Sequence, residues 1–457
     1  MEFEGLMVSV SGIRGRVGAA LTPEVMATYA AAFGAWASTG GGRTVVVGRD
    51  SRVSGPMFTR VVHAALQSVG CTVIDVGMAP TPTIQLAVEH HHAAGGLAIT
   101  ASHNPIEWNA LKFIGPAGLF LSAAEGEDMR TLLERGIPRA TWDKLGAIIA
   151  DADAVDRHIA QVLALPYLDV EAIRARQFRV ALDCCHGAGG VIMPQLLSEL
   201  GCEVFAINDQ TDGRFHRPPE PVAENLGELE ALVRATQADV GFATDPDVDR
   251  LALVGEHGHA LGEDYTLALA AMTVLRHRPG PVVTNLSTSK VVEDVARDAG
   301  VPFHFAKVGE VNVALSMRDL GATIGGEGNG GVILPDLHLG RDAPVGAALV
   351  LQLLTEEARS LSAIVAARKR YVIVKDKLDR PAASLDTVYA ALRAEFPEAT
   401  ADMQDGLRLD WPDRWVHLRP SGTEPIVRVI AEGPSAADAR ALIAQARQPL
   451  NTLALAD

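Results

Sequence analysis

Three aspartates occupy alternate positions directly after a short apolar run. The run, Val240–Thr244, is predicted to be a buried strand, and Asp245, Asp247 and Asp249 follow it. Carboxylates at alternate positions of an extended loop can converge on one hard cation, which also offsets their mutual repulsion. A solvated acidic turn is the alternative interpretation. An EF-hand is excluded, because Arg250 stands where that calcium loop needs a glycine.

A serine also lies in a loop directly after a predicted strand, earlier in the chain than the aspartates. Ser102 lies within residues 100–105, TASHNP, after a strand predicted over residues 96–100. In open α/β sheets the loops at the carboxyl ends of strands hold ligands, and a serine hydroxyl there can act as a nucleophile or phosphoryl acceptor. The local sequence by itself favours a plain turn in which the hydroxyl caps a backbone N–H.

The glycine-rich segment 325–331, GGEGNGG, has the spacing of a dinucleotide-binding loop but lacks its context. The strand-like run VILPD follows it, where a dinucleotide-binding fold needs a helix, and dinucleotide binding is therefore rejected. What remains is a loop that exposes its backbone and carries one acid, Glu327, and one amide, Asn329. Such groups suit neighbouring hydroxyls of a sugar. A plain glycine-rich turn fits the segment equally well.

A later segment offers groups that suit an anion. Arg419 and Arg428 flank two hydroxyls, Ser421 and Thr423, and several backbone N–H groups. This is the chemistry of a phosphate cradle, although no P-loop motif is present in the sequence. Surface arginines beside a turn are the alternative interpretation.

Two further bases, Arg14 and Lys112, each follow what the sequence suggests is a polar turn. Taken singly, each of them is more often a solvated charge. Taken together with a serine, three carboxylates, a loop that can bind hydroxyls and a phosphate cradle, they point to phosphoryl transfer to or from a polyol phosphate.

The elements that must position these residues repeat along the chain. Short β-branched runs alternate with Ala- and Leu-rich stretches of helical spacing, which is typical of βαβ units. The pattern starts near residue 44, restarts near 180 and again near 281, and it changes after residue 366 to a smaller α+β unit with antiparallel pairing. We predict three similar α/β domains with mixed sheets and a C-terminal α+β domain, with boundaries at 1–150, 151–254, 255–367 and 368–457.

Composition narrows the class of protein further. The 457 residues include 48% hydrophobic and 21% charged residues, as in globular proteins, and the formal net charge is −16. The negative electrostatic field of a chain with this net charge repels nucleic acid and anionic membranes. The four cysteines need no disulfide framework, and the acidic start of the sequence is unlike a signal peptide. We therefore expect a cytoplasmic protein that binds neither nucleic acid nor membrane.

The motifs resemble those of the α-D-phosphohexomutase family over essentially the whole chain. They occur in the order SGIRG, TASHNP, NALKF, DPDVDR, GEGNGG and RPSGTEPIVRV. The resemblance implies four domains that form a heart-shaped molecule around one central cleft. Three departures stand out, with Val248 in place of the usual glycine of the metal loop, Glu310 in place of a histidine, and Asn329 in place of a serine.

The resemblance also implies roles for individual residues. Ser102 would carry the phosphoryl group, and one Mg²⁺ per chain would be held by Ser102, Asp245, Asp247 and Asp249. The other residues at the reacting group would be Arg14, His103, Lys112 and Arg250. The substrate would be bound by Lys307, Glu327, Asn329, Arg419, Ser421, Gly422, Thr423 and Arg428.

The implied activity interconverts a hexose 1-phosphate and its 6-phosphate through a hexose 1,6-bisphosphate, which also acts as activator. We expect a phosphoglucosamine mutase, with phosphomannomutase or phosphoglucomutase as the alternative for the same chemistry. The motifs fit a metal-dependent sugar phosphatase or a non-catalytic sugar-phosphate-binding relative less well. The expected partner is a small hexose phosphate, bound by a monomer or homodimer.

Overall fold

The computed structural model describes residues 5–380, 384–420 and 426–454, with side chains described through residue 448. Its strands form four separate sheets that follow one another along the chain. Among the helices of these ranges, none has the length and apolar character needed to cross a lipid bilayer. The predicted fold class, with three similar α/β domains and a smaller C-terminal α+β domain, is confirmed.

The first sheet has seven strands in the order β1-β2-β6-β5-β3-β4-β7. Val45 and Val47 face a core that contains Phe58, whereas Val46 between them faces a second core that contains Ile84, so the sheet is covered on both faces. The strands are β1 (Met7–Ser9), β2 (Gly12–Arg16), β3 (Thr44–Arg49), β4 (Thr72–Met78), β5 (Gly95–Ile99), β6 (Trp108–Ile114) and β7 (Ile148–Ala150). The helices are α1 (Pro23–Ala37), α2 (Gly55–Gln67), α3 (Thr81–His90) and α4 (Ala123–Arg135), with 3₁₀ turns at Ser38–Gly40 and Trp142–Lys144.

The second sheet has five strands in the order β12-β11-β10-β8-β9. Its strands are β8 (Arg179–Asp183), β9 (Glu203–Ile207), β10 (Val240–Thr244), β11 (Leu251–Gly255) and β12 (His259–Ala260). Its helices are α5 (Ala154–Leu163), α6 (Val170–Arg176), α7 (Gly189–Glu199) and α8 (Gly227–Thr236), with a 3₁₀ turn at Ala223–Asn225. Strand β10 is buried along its whole length, as its continuous apolar sequence predicts.

The third sheet also has five strands, in the order β14-β13-β15-β16-β17. Its strands are β13 (Val282–Asn285), β14 (Phe303–Ala306), β15 (Ile324–Glu327), β16 (Gly331–Leu334) and β17 (His338–Arg341). Its helices are α9 (Asp264–His277), α10 (Lys290–Asp298), α11 (Glu310–Leu320), α12 (Ala343–Glu357) and α13 (Leu361–Ala366). Helix α12 begins where the Asp342 carboxylate accepts a hydrogen bond from the backbone N–H of Val345.

The three sheets repeat one topology, which confirms the repeat predicted from the sequence. In each, a central strand pairs in parallel with the next two strands along the chain, and the second of these pairs with an antiparallel strand that follows it. The equivalent orders are β6-β5-β3-β4, β11-β10-β8-β9 and β16-β15-β13-β14. The ends of β5, β10 and β15 and the loops that follow them are therefore equivalent, and they carry Ser102, the three aspartates, Glu327 and Asn329.

The fourth sheet is antiparallel throughout, with the order β18-β22-β21-β20-β19. Its strands are β18 (Val372–Asp379), β19 (Thr400–Asp402), β20 (Leu407–Asp410), β21 (Trp415–Pro420) and β22 (Ile426–Gly433), and its helices are α14 (Leu385–Glu395) and α15 (Ala436–Ala454). This unit has a hydrophobic core of its own, whereas the second and third sheets share one continuous core. The core of the fourth unit is thus separate from the core that the second and third units share.

Candidate active site

The three aspartates lie together on the loop between β10 and β11. One carboxylate oxygen from each of Asp245, Asp247 and Asp249 lies within 4.8 Å of the other two, and all three side chains are fully buried. Burial, together with the charges of Asp249 and Asp247, raises the pKa of Asp245 well above its usual value. Three carboxylates so close together repel one another, and a bound cation would remove that repulsion.

The oxygen atoms of this loop fit a metal ion. Asp247 Oδ1 and Asp249 Oδ1 are buried and have no hydrogen-bond partner among the described residues. Buried carboxylate oxygens without a partner are costly, and they are the donors that a hard divalent cation prefers. The donor set of Asp245, Asp247 and Asp249 therefore suits such an ion.

The loop of residues 245–249, called here the metal loop because its three aspartates could hold a metal ion, contains a strained backbone position. Val248 has φ of 64°, in the left-handed region where a β-branched residue is a genuine outlier, and its side chain is fully buried. The turn brings Asp247 and Asp249 to the same side of the loop, next to Asp245. Valine occupies this position at a conformational cost that glycine would not incur.

The serine lies next to the aspartates although it comes from a different domain. The Ser102 hydroxyl donates a hydrogen bond to Asp245 Oδ2 at 2.8 Å, and its Oγ lies 3.3 Å from His103 Nδ1. Ser102 is 8% exposed and has φ of 47°. Burial and the nearby charge of Arg250 lower the pKa of His103 to about 2, so this imidazole is neutral at physiological pH.

Arg14 and Lys112 lie on paired strands. The polar turn predicted before Arg14 is present at residues 10 and 11, ahead of β2, whereas the turn predicted at Asn109 before Lys112 is wrong, because Asn109 lies within β6. Strands β2 and β6 are antiparallel, with Gly12 opposite Lys112 and Arg14 opposite Ala110. The glycines and polar residues around Arg14 and Lys112 are typical of turns, but hydrogen bonding between the two strands stabilises an extended conformation instead. As a result, both side chains line the same cleft as Ser102.

Lys112 is held by the metal loop. Its Nζ donates a hydrogen bond to Asp247 Oδ2 at 2.7 Å and lies 3.6 Å from Asp249 Oδ2. Burial opposes the charge of Lys112, but the two carboxylates outweigh this and raise its pKa. The same contact, together with a hydrogen bond from Thr81, keeps the pKa of Asp247 below its usual value despite burial. Lys112 is therefore a fixed cation.

The glycine-rich segment forms the end of β15, a short turn and the start of β16. Glu327 accepts hydrogen bonds from the Asn285 side chain at 2.8 Å and from the Gly309 backbone at 3.1 Å. Burial opposes the charge of Glu327, but the neighbouring Arg341 and these hydrogen bonds lower its pKa. The amide of Asn329 contacts the other Glu327 oxygen at 3.4 Å, so the acid and the amide face one region of the cleft.

Arg341, at the end of β17, is a site residue that the sequence analysis missed. Its guanidinium contacts Asp249 at 2.6 Å, Glu327 at 2.7 Å and Glu310 at 3.1 Å. Arg341 therefore connects the metal loop with the glycine-rich segment, and the three carboxylates raise its pKa although burial opposes the charge. The sequence offers one signal for it, an arginine at the carboxyl end of a strand in the third repeat.

Two more charged residues that the motifs did not indicate line the cleft. Glu220 accepts a hydrogen bond from Arg250 at 3.1 Å, and the Arg250 backbone N–H binds Asp245. Lys375 lies on the β18 side of the cleft and forms an ion pair with Glu263. Both residues sit in ordinary polar sequence, so only the tertiary fold reveals their position.

The cleft, with a volume of about 650 Å³, is lined by residues from all four domains. Arg419, on β21, lines it and lies 3.4 Å from Asp405, and Arg428 of β22 is directly opposite Arg419 in the sheet. Lys307 is exposed and lies just outside the segment 308–311 that lines the cleft. Ser421, Gly422 and Thr423 fall outside the described residues.

Comparison with known protein families gives four matches that together span most of the chain. Residues 6–138, 156–258 and 262–371 match the descriptions "Phosphoglucomutase/phosphomannomutase, alpha/beta/alpha domain I", "domain II" and "domain III". Residues 371–448 match "Phosphoglucomutase/phosphomannomutase, C-terminal domain". The four matches follow one another in the same order as the four sheets.

Individual relatives are similar over almost their whole length. A "Probable phosphoglucosamine mutase" of Methanopyrus kandleri is 38% identical over 442 residues, covering 96% of each chain. A "Phosphoglucomutase/phosphomannomutase" of Thermococcus kodakarensis is 38% identical over 445 residues, covering 95% of this chain and 96% of the relative. A crystal structure of a phosphoglucomutase/phosphomannomutase family protein from Burkholderia thailandensis superposes with a TM-score of 0.85 at 26% identity, covering 98% and 99%.

Proposed function

The chain belongs to the phosphoglucomutase/phosphomannomutase family, and from this premise we propose that it interconverts a hexose 1-phosphate and its 6-phosphate through a phosphorylated Ser102. Members of the family are mutases, so the enzyme is an isomerase. One observation carries the proposal. The Ser102 hydroxyl is 2.8 Å from an aspartate of a buried three-carboxylate cluster, in a cleft lined by all four domains.

The metal site of the proposal consists of Ser102, Asp245, Asp247 and Asp249. We propose Mg²⁺ as the ion, because the donors are all hard oxygen atoms and phosphoryl groups are its usual partners. When bound, it would supply positive charge next to the transferred group. Asp247 and Asp249 each keep one oxygen paired with Lys112 or Arg341, which orients the other oxygen for the ion.

The charge of the transferred phosphoryl group would be offset by cationic side chains that are already fixed. Lys112 is locked by Asp247, Arg250 is held by Glu220, and Arg14 is held by the Asn104 side chain at 3.0 Å. Stabilisation by fixed charges is the main contribution that a protein makes to phosphoryl transfer. The neutral His103 lies beside Ser102 Oγ, where it can hydrogen-bond the serine oxygen without carrying a charge.

The remaining roles concern binding of the sugar phosphate. Glu327 and Asn329 would bind sugar hydroxyls as acceptor and donor. Arg419, Arg428 and the segment with Ser421, Gly422 and Thr423 would hold the phosphate that is not being transferred, and Lys307 would assist from the edge of the cleft. In the proposed cycle, phospho-Ser102 gives its phosphoryl group to the substrate, and the resulting 1,6-bisphosphate reorients and returns its other phosphoryl group to Ser102.

We propose glucosamine phosphate as the preferred substrate, with mannose and glucose phosphates as alternatives for the same site. Support comes from several relatives at 33–38% identity that carry the name "Probable phosphoglucosamine mutase". A relative of equal identity named phosphoglucomutase/phosphomannomutase supports the alternative. The difference between these sugars lies at C2, so small changes around Glu327 and Asn329 decide between them.

The test is a parallel assay of the three candidate sugars. Glucosamine 6-phosphate, mannose 1-phosphate and glucose 1-phosphate are each incubated with the enzyme, Mg²⁺ and a trace of hexose 1,6-bisphosphate, and the phosphates are followed by ³¹P NMR. We expect conversion between 1- and 6-phosphates, with the largest kcat/KM for the glucosamine compound. Release of inorganic phosphate in place of conversion would contradict the proposal, and a larger kcat/KM for another sugar would contradict only the substrate assignment.

A further inference from the structure

Arg52 is a fully buried arginine that follows β3, and none of the proposed catalytic or binding roles uses it. Its side chain has no exposed surface, and every N–H of its guanidinium has an acceptor. The backbone oxygens of Ser102 and Asn104 accept at 2.5 and 2.7 Å, and those of Pro105 and Trp108 accept at 2.8 Å. A single side chain therefore binds four carbonyl groups of the segment that carries the serine.

The fifth N–H of this guanidinium joins Arg52 to a second group of contacts with the serine loop. The Arg52 Nε donates to Asp50 Oδ2 at 3.1 Å, and the Thr100 hydroxyl donates to the same oxygen at 2.6 Å. The Thr100 oxygen in turn accepts the backbone N–H of Ser102 at 2.9 Å. Both the N–H and the C=O of Ser102 are thus held by side chains that are themselves buried and paired.

These contacts are directed at a backbone conformation that the chain does not prefer by itself. Ser102 has φ of 47°, a left-handed value that non-glycine residues adopt only when their surroundings impose it. In this conformation the Ser102 hydroxyl reaches Asp245 of the neighbouring domain. Without the contacts from Arg52 and Thr100, the loop would be free to relax to a commoner backbone geometry.

The same group of residues packs against the metal-binding domain. The Phe215 ring stacks on the Arg52 guanidinium with 5.0 Å between them, and Gly213 approaches so closely that a Cβ there would lie 2.3 Å from the Ser51 carbonyl oxygen. The Ser51 hydroxyl also donates to the His186 backbone oxygen at 2.6 Å. The residues that fix the serine loop are therefore also fixed relative to the domain of the three aspartates.

We propose that Asp50, Arg52 and Thr100 form a positioning unit that sets the Ser102 oxygen for phosphoryl transfer. The inference rests on the proposed function, in which Ser102 receives and donates the phosphoryl group. In-line transfer depends on the position of the attacking oxygen, and a displacement of about 1 Å can reduce a rate roughly 10²-fold. The unit acts through Ser102 and does not contact the substrate, so it affects kcat and the rate of serine phosphorylation rather than substrate binding.

Variants at Thr100 test the unit with the smallest change in volume. Thr100→Val removes the two hydrogen bonds, whereas Thr100→Ser keeps the hydroxyl. Thr83→Val is the matched control, because Thr83 is a buried threonine of the same domain whose hydroxyl bonds His158 away from the serine loop. The measurements are kcat, KM and the single-turnover phosphorylation of the dephosphorylated chain by glucose 1,6-bisphosphate, followed by intact mass.

We expect Thr100→Val to lower kcat and the phosphorylation rate roughly 10- to 100-fold, with KM within about 3-fold of the wild type. Thr100→Ser and Thr83→Val should stay within about 3-fold in both rates, although Thr83→Val loses thermal stability. Equal rates for Thr100→Val and Thr83→Val would overturn the positioning role. If the wild-type chain takes up no phosphoryl group while it converts substrate, the proposed function itself fails, which is a distinct result.

A second variant tests the arginine directly. Arg52→Lys keeps the positive charge but offers at most three N–H groups and no planar fork, so several of the four carbonyls lose their donor. We expect a fall in kcat of roughly 10²-fold or more in the folded fraction, again with little change in KM. A folded Arg52→Lys chain with wild-type phosphorylation kinetics would contradict the inference.

Discussion

The half of the cleft formed by the first three domains differs from the half formed by the C-terminal domain in how its charges are paired. In the first half, Arg341 is buried and bound to three carboxylates, and Lys112, whose side chain is 18% exposed, is bound to two. In the second half, the Arg419 side chain is 21% exposed and lies 3.4 Å from Asp405, and Arg428 is exposed. Among the described residues, the cations nearest the serine thus have more carboxylate partners than the arginines across the cleft.

This difference matches the two tasks of the proposed reaction. Phosphoryl transfer needs fixed charges at one position, because reorganisation during the reaction would add to the barrier. Binding of a phosphate that alternates between two ends of an intermediate needs donors that can adapt and release. The C-terminal domain has a hydrophobic core separate from the core of the domain that carries the serine. Substitutions on either side of the cleft should therefore differ in the size and kind of their effects.

The largest effect is expected from the serine. Ser102→Ala removes the group that carries the phosphoryl, and interconversion should fall by roughly 10⁴-fold or more while substrate binding remains. The measurement is turnover by ³¹P NMR together with calorimetric binding of the substrate. Ser9→Ala is the matched control, since Ser9 also lines the cleft but bonds only its own turn. Turnover of Ser102→Ala near the wild-type rate would contradict the mechanism.

Asp245→Asn should separate metal binding from stability. The change removes one of three mutually repelling carboxylates, so the metal-free chain should gain thermal stability, while turnover falls roughly 10³-fold because a metal ligand is lost. Thermal unfolding with and without Mg²⁺ is the measurement. Mg²⁺ should raise the unfolding temperature of the wild type, and chelating the ion should remove most of that increase. The unfolding temperature of the variant should respond little to either treatment. A variant that Mg²⁺ stabilises as much as the wild type would remove Asp245 from the site.

A smaller effect is expected across the cleft. Arg419→Ala loses charge-assisted hydrogen bonds to the phosphate that does not react, and KM should rise roughly 10- to 100-fold with a smaller change in kcat. Steady-state kinetics measure both constants. Arg414→Ala serves as the control, because Arg414 is an exposed arginine of the same domain that packs on Trp411. An unchanged KM for Arg419→Ala would remove the phosphate-binding role.

The smallest effect concerns docking of the C-terminal domain and depends on pH. His417 is fully buried, its Nδ1 contacts the Ser287 hydroxyl of the third domain, and burial lowers its pKa from 6.5 to about 4. In the unfolded chain His417 is protonated below about pH 6.5, whereas in the folded chain it stays neutral until about pH 4. The folded state therefore loses stability relative to the unfolded state as pH falls from 6.5 toward 4. The loss between pH 7 and pH 5 is about 2 kcal/mol.

Thermal unfolding across that pH range compares His417→Gln with His257→Gln, an exposed control. The His417 variant should be less stable at pH 7 but show a flatter decline between pH 7 and pH 5. If the stability of the wild type and of the His417 variant declines equally steeply between pH 7 and pH 5, protonation of His417 does not cause the pH dependence.

The sequence predicted those parts of the site whose residues are close together in the chain. The aspartates follow an apolar strand within five residues, and the strands predicted over 96–100 and 240–244 lie within one residue of the observed β5 and β10. Because loops at the carboxyl ends of strands hold ligands in open α/β sheets, the sequence also places each of the loops after β5, β10 and β15 at the ligand-binding edge of its own sheet. These are local signals, and they were sufficient for the fold class and for the metal loop.

The remaining features depend on pairing between distant segments. Arg341 and Arg52 belong to no recognised motif, and each has a key partner far along the chain: Asp249 is 92 residues from Arg341, and Ser102 is 50 residues from Arg52. Strand β2 has the sequence GIRGR, which has low strand propensity and forms because β1 and β6 pair with it on either side. Helices α9 and α12 are buried nearly all round, so their sequences lack the periodicity by which helices are predicted.

The most direct test of the mechanism is to follow the phosphoryl group itself. The dephosphorylated enzyme is incubated with Mg²⁺ and glucose 1,6-bisphosphate labelled with ³²P at both phosphates, digested, and the labelled peptide is sequenced; a parallel sample is chased with unlabelled hexose monophosphate. The account predicts one label per chain on Ser102, which leaves for the sugar during the chase. Interconversion without label on Ser102, or label that stays on the chain through the chase, would contradict it.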